Sequence, residues 1–410
     1  MKFDQYYISD SIKKNLKVAG FKRPTDIQYK AIPSIQKGED VLAIAPTGTG
    51  KTAAFAIPVI DRIHRFKSSR RTYGIRCLVL VPTRELAAQI GDVFNSFSRH
   101  TKVKTFALYG GVAQDAQVRR LQDGIDVLVA TPGRMFDLIH QKYIRLDRVD
   151  TLILDEADRM LDLGFIDDIR SVKKKLTRRH QTLFFSATIN PKIKKLAYTQ
   201  VNTAAIRIQI SPEDPVSKNV SHAVVFVAMD DKRFFLERYI REHPDSKLVI
   251  FVRTRVRAER VVNAMNRVGI SAVSIHGAKD QNERLAVMDA MRKDEVRLLV
   301  ATDVSARGID IPDVDGVINY DLPEVAENYV HRVGRTGRGV RKGVALSFCS
   351  PKEKTLLADI ETHIGKPVDV LTVGRADYAQ TLLFSGEQSV EELIAENEAS
   401  IKRRRKKRKH

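Results

Sequence analysis

The chain has few cysteines and no long apolar runs, and these two shortages argue against a disulfide framework, a cysteine metal site and a membrane span. Its only cysteines are Cys77 and Cys349, which lie in different halves of the chain without a CxxC pair. We therefore expect neither a disulfide nor a cysteine metal site. No apolar run approaches the ~18 residues that a membrane-spanning helix needs, and the first residues lack the apolar stretch of a signal peptide. The sequence predicts a cytoplasmic protein with no membrane partner.

Length and charge set the next limits. A chain of 410 residues is long enough for about two to three domains. Its formal net charge of +20 favours an anionic partner, either nucleic acid or an anionic membrane surface. The charge by itself does not choose between these two.

Short apolar runs alternate with longer amphipathic stretches, which is the pattern of a parallel α/β sheet. The runs lie at 41–45, 77–81, 125–130, 152–154 and 182–185, and again at 248–252, 271–275, 297–301, 316–320 and 344–348. A polar, proline-containing stretch at 211–217 separates the two series. We predict an α/β fold of two doubly wound lobes at 1–210 and 218–370, with a linker at 211–217 and an extension at 371–410.

The extension has two charged parts. Five glutamates lie between 387 and 398, and the run from Lys402 to Lys409 consists of eight Lys and Arg residues. Eight like charges in a row cannot be buried, so they stay solvated or contact phosphate. We interpret the run as a non-specific nucleic-acid tether whose affinity falls steeply as salt rises. The stretch 390–400 is either a solvated surface segment or a helix that docks on a partner.

A glycine-rich loop follows the first apolar run and precedes a helix-like stretch. Its residues are Ala45, Pro46, Thr47, Gly48, Thr49, Gly50, Lys51 and Thr52. Glycines let backbone N–H groups turn toward phosphate oxygens, Lys51 supplies charge to the β and γ phosphates, and the Thr52 hydroxyl suits Mg²⁺. The alternative is a chance GKT in a turn. Because strand, loop and helix come in the right order, the loop predicts binding of ATP with Mg²⁺.

An acidic tetrad, Asp155-Glu156-Ala157-Asp158, directly follows the run 152–154. It therefore falls at the carboxyl end of a buried strand, where ligands bind in such sheets. Asp155 there suits Mg²⁺, and Glu156 suits the orientation and deprotonation of the water that attacks the γ phosphate. An acidic helix start, favoured by the helix dipole, is the alternative. After the next run, Ser186 and Thr188 are placed to hydrogen-bond Asp158.

In this order, from about residue 3 to about residue 350, the motifs resemble those of the DEAD-box RNA helicase family. The resemblance implies two tandem RecA-like P-loop domains and an ATPase that binds RNA. Phe21 and Gln28 lie in a segment similar to the family's adenine-reading Q motif, and Phe3 is similar to its upstream aromatic residue. Asp26 stands where a proline is usual. The length and the short basic tail resemble the bacterial RhlE-type group.

The resemblance also implies contacts with the RNA backbone. Hydroxyls, main-chain N–H groups and single arginines suit phosphates and 2′-hydroxyls, which carry no base sequence. Taken singly, each such segment is also compatible with a strand-exit turn. The implied RNA-contacting residues are Pro82, Thr83, Arg84, Gly110, Gly111, Thr131, Pro132, Gly133 and Arg134 in the first lobe, and Arg284 and Thr302 in the second.

The second lobe carries HRVGRTGR from His331 to Arg338. By resemblance, Arg335 and Arg338 are arginine fingers that stabilise charge on the transferred phosphoryl group. Because they are three residues apart, they would face one side of a helix or of its first turn. A basic patch or an ion-pair network is the alternative. His331 couples the lobes in the family, or is a core histidine, and Gly308 and Asp310 are implied nucleotide contacts.

ATP and RNA would then both bridge the lobes, so each favours closure and RNA stimulates ATP hydrolysis. The predicted activity is local separation of short duplexes or remodelling of ribonucleoprotein. Two alternatives stay open, namely an RNA clamp or scaffold whose ATP state sets its residence time, and a DNA translocase of the wider two-lobe superfamily. Ribosomal and RNA-decay partners are both compatible with the sequence.

Overall fold

The computed structural model describes residues 2–46, 48–68, 74–210, 219–303, 314–337 and 342–383. These residues form two seven-stranded sheets, one on each side of the predicted linker, and each sheet has an apolar core on both faces. The predicted α/β fold of two tandem lobes is therefore confirmed. The linker at 211–217 and the chain beyond residue 383 lie outside the described residues.

Lobe 1 is built from short strands, most of them entirely buried, which suits a parallel sheet covered on both faces. Its strands are β1 (Val41–Ile44), β2 (Cys77–Leu80), β3 (Thr105–Leu108), β4 (Val127–Ala130), β5 (Thr151–Leu154), β6 (Gln181–Ser186) and β7 (Ile206–Gln209). Its helices are α1 (Asp10–Val18), α2 (Asp26–Gln36), α3 (Lys51–Phe66), α4 (Arg84–Phe97), α5 (Gln114–Gln122), α6 (Pro132–His140), α7 (Ala157–Asp162), α8 (Ile166–Lys175) and α9 (Pro191–Gln200).

The strand order in lobe 1 is β3-β4-β2-β5-β6-β1-β7, and neighbouring strands pair in parallel. Parallel pairing places the carboxyl ends of all strands along one edge of the sheet. The loops that follow β1, β5 and β6 therefore meet at this edge. They contain the glycine-rich loop, the acidic tetrad and the segment from Ser186 to Thr188, so the fold brings three separate motifs together.

Lobe 2 repeats this arrangement. Its strands are β8 (Val220–Phe226), β9 (Leu248–Phe251), β10 (Val273–Ile275), β11 (Leu298–Ala301), β12 (Gly316–Asn319), β13 (Gly343–Cys349) and β14 (Asp369–Val370). Its helices are α10 (Lys232–Glu242), α11 (Arg255–Arg267), α12 (Gln281–Arg292), α13 (Ala326–Val333), α14 (Lys354–Ile364) and α15 (Arg375–Leu383). The strand order is β10-β11-β9-β12-β13-β8-β14, which matches lobe 1 position by position.

Because the topologies match, a residue in one lobe has a counterpart in the other. Lys51 begins α3 after β1, and Lys232 begins α10 after the corresponding strand β8. In lobe 2, however, the Lys232 Nζ lies 2.6 Å from Glu353 Oε2 and 3.7 Å from Asp321 Oδ1, and Lys232 is wholly buried. The lysine of lobe 2 is thus already neutralised by carboxylates of the protein itself.

Removing the carboxylate of Glu353 is expected to destabilise lobe 2 strongly. Glu353 accepts hydrogen bonds from Lys232 Nζ at 2.6 Å, Ser350 Oγ at 2.7 Å and Leu322 N at 3.2 Å. Burial alone would raise the pKa of Glu353, but Lys232 and Ser350 outweigh burial and lower it. Glu353→Gln removes the nearer carboxylate and leaves the buried Lys232 with only Asp321, 3.7 Å away, as its counter-ion. The free energy of unfolding in urea should therefore fall by about 3–5 kcal/mol.

The control for this variant is an exposed ion pair. Asp289 lies 2.8 Å from Lys293, and both side chains are more than half exposed. Asp289→Asn should leave the free energy of unfolding unchanged, because exposed pairs contribute little to stability. Similar unfolding curves for Glu353→Gln and the wild type would contradict the assignment of Glu353 as the buried counter-ion.

The predicted strands are present, and four further strands were not predicted. Three of these, β3, β7 and β14, lie at sheet edges, where partial exposure weakens the apolar run that marks a strand. The fourth, β8, is interrupted in sequence by Ser221 and His222.

The two cysteines and the membrane-spanning potential of the helices are the last features of the fold. Cys77 and Cys349 are both buried and free. Within the described ranges, no helix combines the length and the apolar character needed to cross a bilayer.

Candidate active site between the lobes

The glycine-rich loop turns into the start of α3. Gly50, the residue before the helix, has a φ of 89°, and a Cβ there would collide with Gln28 Nε2, so the position requires glycine. Gln28 Nε2 donates to Gly50 O at 3.1 Å, and Thr25 Oγ1 donates to Thr49 O at 2.7 Å. The loop is thus held from the start of α2, and the first turn of α3 has backbone N–H groups without an intrahelical partner, which is the general arrangement of an anion site. Thr47 lies outside the described residues.

The segment before the loop is a capped helix start packed on an aromatic cluster. Thr25 is the N-cap of α2, and its N–H donates to Gln28 Oε1 at 3.0 Å. Asp26 occupies the first helical position, where a negative charge is favourable, which explains why the turn forms without the usual proline. The Phe21 ring packs edge-on against Phe97 at 5.3 Å and against Phe3 at 6.0 Å.

Lysine and carboxylate converge at the carboxyl edge of the sheet. Lys51 is buried, and its ammonium donates to Ala45 O at 2.6 Å and to Pro46 O at 3.0 Å. Thr52 follows it in the first turn of α3. Burial raises the pKa of Asp155 to about 7, although the nearby Lys51 charge acts in the opposite direction. Burial thus makes the charged form of Asp155 costly, and a cation bound beside it would favour that form.

Because the pKa of Asp155 is raised, we expect the Asp155→Asn variant to be more stable than the wild type, although it loses the carboxylate of the acidic tetrad. A carboxyl whose pKa is higher in the folded chain than in the unfolded chain favours folding when protonated, and this advantage is lost as the pH rises toward about 7. Without nucleotide or metal, Asp155→Asn should raise the free energy of unfolding at about pH 8 by on the order of 1–3 kcal/mol. The gain should be smaller at about pH 5, where the wild-type carboxyl is largely protonated. Calorimetric melting at both pH values measures this, and a gain independent of pH would contradict the stated cause.

Glu156 is turned out of the strand direction by an unusual backbone conformation. Its φ of 51° and ψ of 49° lie in the left-handed region, which is rare and costly for a residue other than glycine. Its Oε2 lies 3.6 Å from Arg159 Nη1 and has no hydrogen-bond partner among the described residues. Such local strain is typical of functional positions.

Both lobes contribute walls to one cavity of about 190 Å³. Glu156 and Thr188 line it from lobe 1, and His331 and Arg335 line it from lobe 2. Arg335 is buried, and its Nε donates to His331 O at 3.2 Å. The volume is sufficient for several waters, since a water takes about 30 Å³ in the liquid. A carboxylate, a buried guanidinium and room for water therefore share one space.

Asp158 joins the acidic tetrad to the loop after β6. Its Oδ2 accepts hydrogen bonds from Ala187 N, Thr188 N and Thr188 Oγ1, each at 3.1 Å. Ser186 is buried at the end of β6, and its Oγ has no hydrogen-bond partner among the described residues. The contact to Asp158 is therefore made by the two residues that follow Ser186.

The position of α13 in lobe 2 depends on Arg332. This side chain is buried, donates to both carboxylate oxygens of Asp303 at 2.6 and 2.9 Å, and donates to Asp321 O at 2.6 Å. Arg332 lies between His331 and Val333 at the end of α13, so these bonds fix the end of the helix that carries His331 to the cavity. The motif was recognised in the sequence, but the anchoring role of Arg332 was not.

The prediction that Arg335 lies on a helix or its first turn is wrong. Helix α13 ends at Val333, and Arg335 lies in the turn that follows. Thr336 Oγ1 donates to Val314 O at 2.7 Å and to Asp315 O at 3.0 Å, which holds the chain in this turn. Arg338, Gly308 and Asp310 lie outside the described residues.

Comparison with known proteins bears on this arrangement. Residues 25–196 match the family model "DEAD/DEAH box helicase", and residues 231–340 match "Helicase conserved C-terminal domain". The DEAD-box ATP-dependent RNA helicase CshA of Bacillus cereus is 36% identical over 377 residues, which cover 92% of this chain and 71% of that protein. The chain belongs to the DEAD-box ATP-dependent RNA helicases. It is therefore an RNA-dependent ATPase, and ATP and RNA are its ligands.

Other comparisons agree with the helicase assignment. The ATP-dependent RNA helicase CshA of Listeria monocytogenes is 36% identical over 403 residues, which cover 98% of this chain and 76% of that protein. The structure of S. cerevisiae Dbp5 bound to RNA and ADP BeF3 has a TM-score of 0.81 at 29% identity and covers 92% of this chain and 97% of its own. The structure of Mss116p bound to ssRNA and AMP-PNP has a TM-score of 0.83 at 26% identity, with 99% and 87% covered. The RhlE-type subgroup stays a prediction.

The segments that follow β2 and β3 contact each other on the side of lobe 1 that faces lobe 2. Thr83 caps α4 and accepts from Leu86 N at 3.4 Å, directly after the buried Pro82. Arg84 packs against Gly110 and Gly111, and a Cβ on Gly111 would collide with the Arg84 guanidinium and lie 2.8 Å from Gln281 Cβ. Glycine is required at 111 because both lobes approach it closely.

The remaining residues with implied RNA contacts lie at strand ends. Thr131 is the N-cap of α6 and Pro132 its first residue, while an added Cβ on Gly133 would meet no atom within 4 Å. Arg134 donates from Nε to Gln117 Oε1 and from Nη1 to Gln114 Oε1, both at 2.9 Å, so glutamines of α5 orient it. Thr302 is buried directly after β11.

Glu85 joins the two lobes of the helicase, and sequence reasoning did not single it out. Its Oε1 lies 3.0 Å from Arg284 Nη2 and accepts from Gln281 Nε2 at 3.2 Å. Glu85 is buried, and the Arg284 side chain is only 14% exposed. Arg284, implied as an RNA contact, is thus paired with a carboxylate of lobe 1. The available signal was an acidic residue directly after Arg84 in the first turn of α4.

Proposed function

We propose that ATP is hydrolysed at the cavity between the lobes, and that closure of the lobes on ATP and RNA completes this site. The observation that carries the proposal is that Glu156 of lobe 1 and Arg335 of lobe 2 line the same cavity. Since neither lobe alone supplies both groups, the rate of hydrolysis depends on closure. RNA that favours the closed state therefore stimulates hydrolysis.

The nucleotide lies on the loop between β1 and α3. The backbone N–H groups of Thr47 to Thr52 and the Lys51 ammonium hold the phosphates, because a helix start with a glycine-rich loop is an anion site. Phe21 and Gln28 contact the adenine, with Gln28 already bonded to the loop through Gly50 O. In lobe 2, Gly308 and Asp310 complete the nucleotide site at the ribose.

Mg²⁺ fits the donor groups at this edge. Thr52 offers a hydroxyl and Asp155 a buried carboxyl, and Mg²⁺ in phosphate sites typically takes one or two protein ligands and completes its shell with phosphate oxygens and water. In the part of the chain that the structure describes, no group of three or more His, Cys, Asp or Glu side chains could hold an ion alone. An ion that enters with the nucleotide suits this donor set, and when bound it neutralises charge on the phosphates.

Hydrolysis is a water attack on the γ phosphorus. Glu156 Oε2 accepts the proton of the attacking water, the bond between the γ phosphorus and the oxygen that bridges to the β phosphorus breaks, and ADP and phosphate leave. Arg335, with Arg338, stabilises the charge on the transferred group. Asp158, Thr188 and His331 couple this chemistry to the position of the lobes, since all three line the cavity and Thr188 donates to Asp158. Ser186 ends β6 directly before the two residues that bond Asp158, so it positions this contact.

RNA is held by its backbone across both lobes. Thr83, Arg84, Gly110, Gly111, Thr131, Pro132, Gly133 and Arg134 contact it in lobe 1, and Thr302 contacts it in lobe 2. Arg284 and Glu85 hold the lobes together beside this track, because their ion pair lies next to Arg84. Closure bends the bound strand and separates short duplexes locally or remodels ribonucleoprotein.

The relative position of the lobes supports this view. The structure of Mss116p with ssRNA and AMP-PNP covers 99% of this chain and has a TM-score of 0.83. A crystal structure of a DEAD box protein from Methanococcus jannaschii covers 91% of this chain, but its TM-score is only 0.54. The lobe arrangement here is thus close to that of a complex with RNA and nucleotide. The run from Lys402 to Lys409, which lies outside the described residues, binds RNA as a tether whose affinity falls as the salt concentration rises. Ribosomal and RNA-decay proteins remain predicted partners.

The test is the steady-state rate of ATP hydrolysis without nucleic acid, with single-stranded RNA and with single-stranded DNA of the same sequence. We expect strong stimulation by RNA and little by DNA. Equal stimulation by both would favour a DNA translocase and overturn the proposal. A second assay compares ATP-driven separation of a short RNA duplex with RNA dissociation under a non-hydrolysable analogue, and slow dissociation without separation would favour a clamp.

A further inference from the structure

A groove on lobe 2, distant in sequence from the ATP motifs, has a basic rim. It lies beside the start of α10 and along the length of α11, has a volume of about 570 Å³ and is within the size range of ligand clefts. Arg233, Arg260 and Arg267 line it, against a single acidic lining residue, Asp230. A fourth arginine of the lining, Arg257, is already ion-paired with Asp321 at 3.2 Å. We call this surface the arginine groove.

The floor of the arginine groove is apolar. Met229, Val261, Met265 and Tyr320 line it, and Val256 at its side is 55% exposed. Nucleic acid alone would not require an apolar floor, because phosphate contacts need charge and hydrogen-bond donors. A basic rim over an apolar floor is instead complementary to an acidic amphipathic segment, which places apolar side chains in the groove and carboxylates on the rim.

The chain itself carries a segment of this kind. Between Arg375 and Lys402 there is no basic residue, and five glutamates lie between 387 and 398. Val390, Leu393 and Ile394 recur at the spacing of one helix face. We call residues 387–398 the acidic segment. Its charge and its apolar stripe match the rim and the floor of the arginine groove.

The described chain ends on α10, one of the two helices that line this groove. Helix α15 packs along α10, where Tyr378 Oη donates to Asp231 Oδ2 at 2.6 Å and Arg238 Nη1 donates to Thr381 Oγ1 at 2.7 Å. The same α10 supplies Arg233 to the groove wall. From Leu383 to Val390 seven residues can span up to ~23 Å, which exceeds the ~10–12 Å diameter of the helix to be crossed.

We propose that the acidic segment docks in the arginine groove of its own chain. Docking pairs its glutamates with the rim and buries Val390, Leu393 and Ile394 on the floor. It also holds the basic run from Lys402 to Lys409 close to lobe 2 instead of on a free tether. A covalently attached ligand needs little intrinsic affinity, because the tether gives it an effective concentration in the millimolar range.

Disulfide trapping in the full chain tests the proposal. Asn263→Cys places a thiol on the groove wall, and Ala395→Cys places one on the acidic segment. The natural cysteines interfere little, because both are buried and burial raises the pKa of Cys349 to about 11. The matched control replaces Asn263→Cys with Thr355→Cys, which is exposed on α14 on the opposite face of the lobe 2 sheet. The rate of intramolecular cross-linking is followed by peptide mass spectrometry.

We expect the groove pair to cross-link at least about tenfold faster than the control pair, since docking raises the local concentration above that of a free tether. High salt should slow it by screening the ion pairs. Arg260→Glu with Arg267→Glu should reduce the rate to that of the control, and Glu391→Lys, Glu392→Lys and Glu396→Lys in the same chain should restore it. Restoration separates loss of charge complementarity from damage to the fold.

Other occupants give different results. Equal rates for the groove and control pairs would overturn the proposal. If RNA fills the groove instead, Arg260→Glu with Arg267→Glu lowers RNA affinity while the two cross-linking rates stay equal. If the segment of a second copy docks, the rate rises with protein concentration and linked dimers form. Either result would also overturn docking within one chain.

Discussion

Replacing Arg335 with alanine should lower the RNA-stimulated rate of ATP hydrolysis by about 10³- to 10⁵-fold, the range for loss of an arginine finger. The guanidinium is buried at the wall of the cavity that Glu156 lines from the other lobe. Affinities for ATP and RNA should change far less, because charge accumulates on the phosphoryl group chiefly in the transition state. Steady-state kinetics and separate binding titrations measure the two effects.

Two further variants sharpen this test. Arg335→Lys keeps the charge but loses the planar fork, so its rate should lie between those of the wild type and Arg335→Ala. Arg292→Ala removes the same charge from the exposed end of α12 and should keep most of the activity. If Arg335→Ala hydrolysed ATP as fast as Arg292→Ala, Arg335 would not contact the transferred group.

Glu156→Gln should lower the same rate by about 10²- to 10⁴-fold, the contribution typical of a general base. The amide has the shape of the carboxylate but cannot take the proton of the attacking water. Binding of ATP and RNA should persist, so the variant should remain on RNA longer than the wild type when ATP is present. Rates of hydrolysis and of RNA dissociation measured on one preparation show both effects.

The matched control is a carboxylate on the other side of the same cavity. Glu327 lines it from the first turn of α13 in lobe 2, and Glu327→Gln should keep most of the activity. Equal losses in Glu156→Gln and Glu327→Gln would indicate that the charge of the cavity, and not one base, controls the rate.

The two lobes and the order of the motifs could be predicted from the sequence, because each is marked by residues that are close together in the chain. Interior strands such as β2 and β5 are continuous apolar runs, and the glycine-rich loop and the acidic tetrad each follow such a run directly. Edge strands such as β7 escaped prediction because their residues are partly exposed. The turn that removes Arg335 from α13 also escaped, because it depends on the contact of Thr336 with Val314 and Asp315.

Contacts between the lobes could not be read from the chain. Glu85 and Arg284 lie 199 positions apart, and no spacing rule links two residues across such a distance. Likewise, nothing in the sequence indicates that Lys232 pairs with Glu353. In the structure this pair neutralises the lysine of lobe 2 that corresponds to Lys51 of lobe 1. Only the packing of both sheets reveals these partners.

The sequence alone thus determined the α/β class, the two lobes, the phosphate loop and the acidic tetrad, because each depends on residues that are neighbours in the chain. The tertiary structure decided that Glu156 and Arg335 share one cavity, that Arg332 anchors α13, and that Glu85 holds Arg284. These facts depend on how two separately folded sheets meet, which local periodicity does not encode.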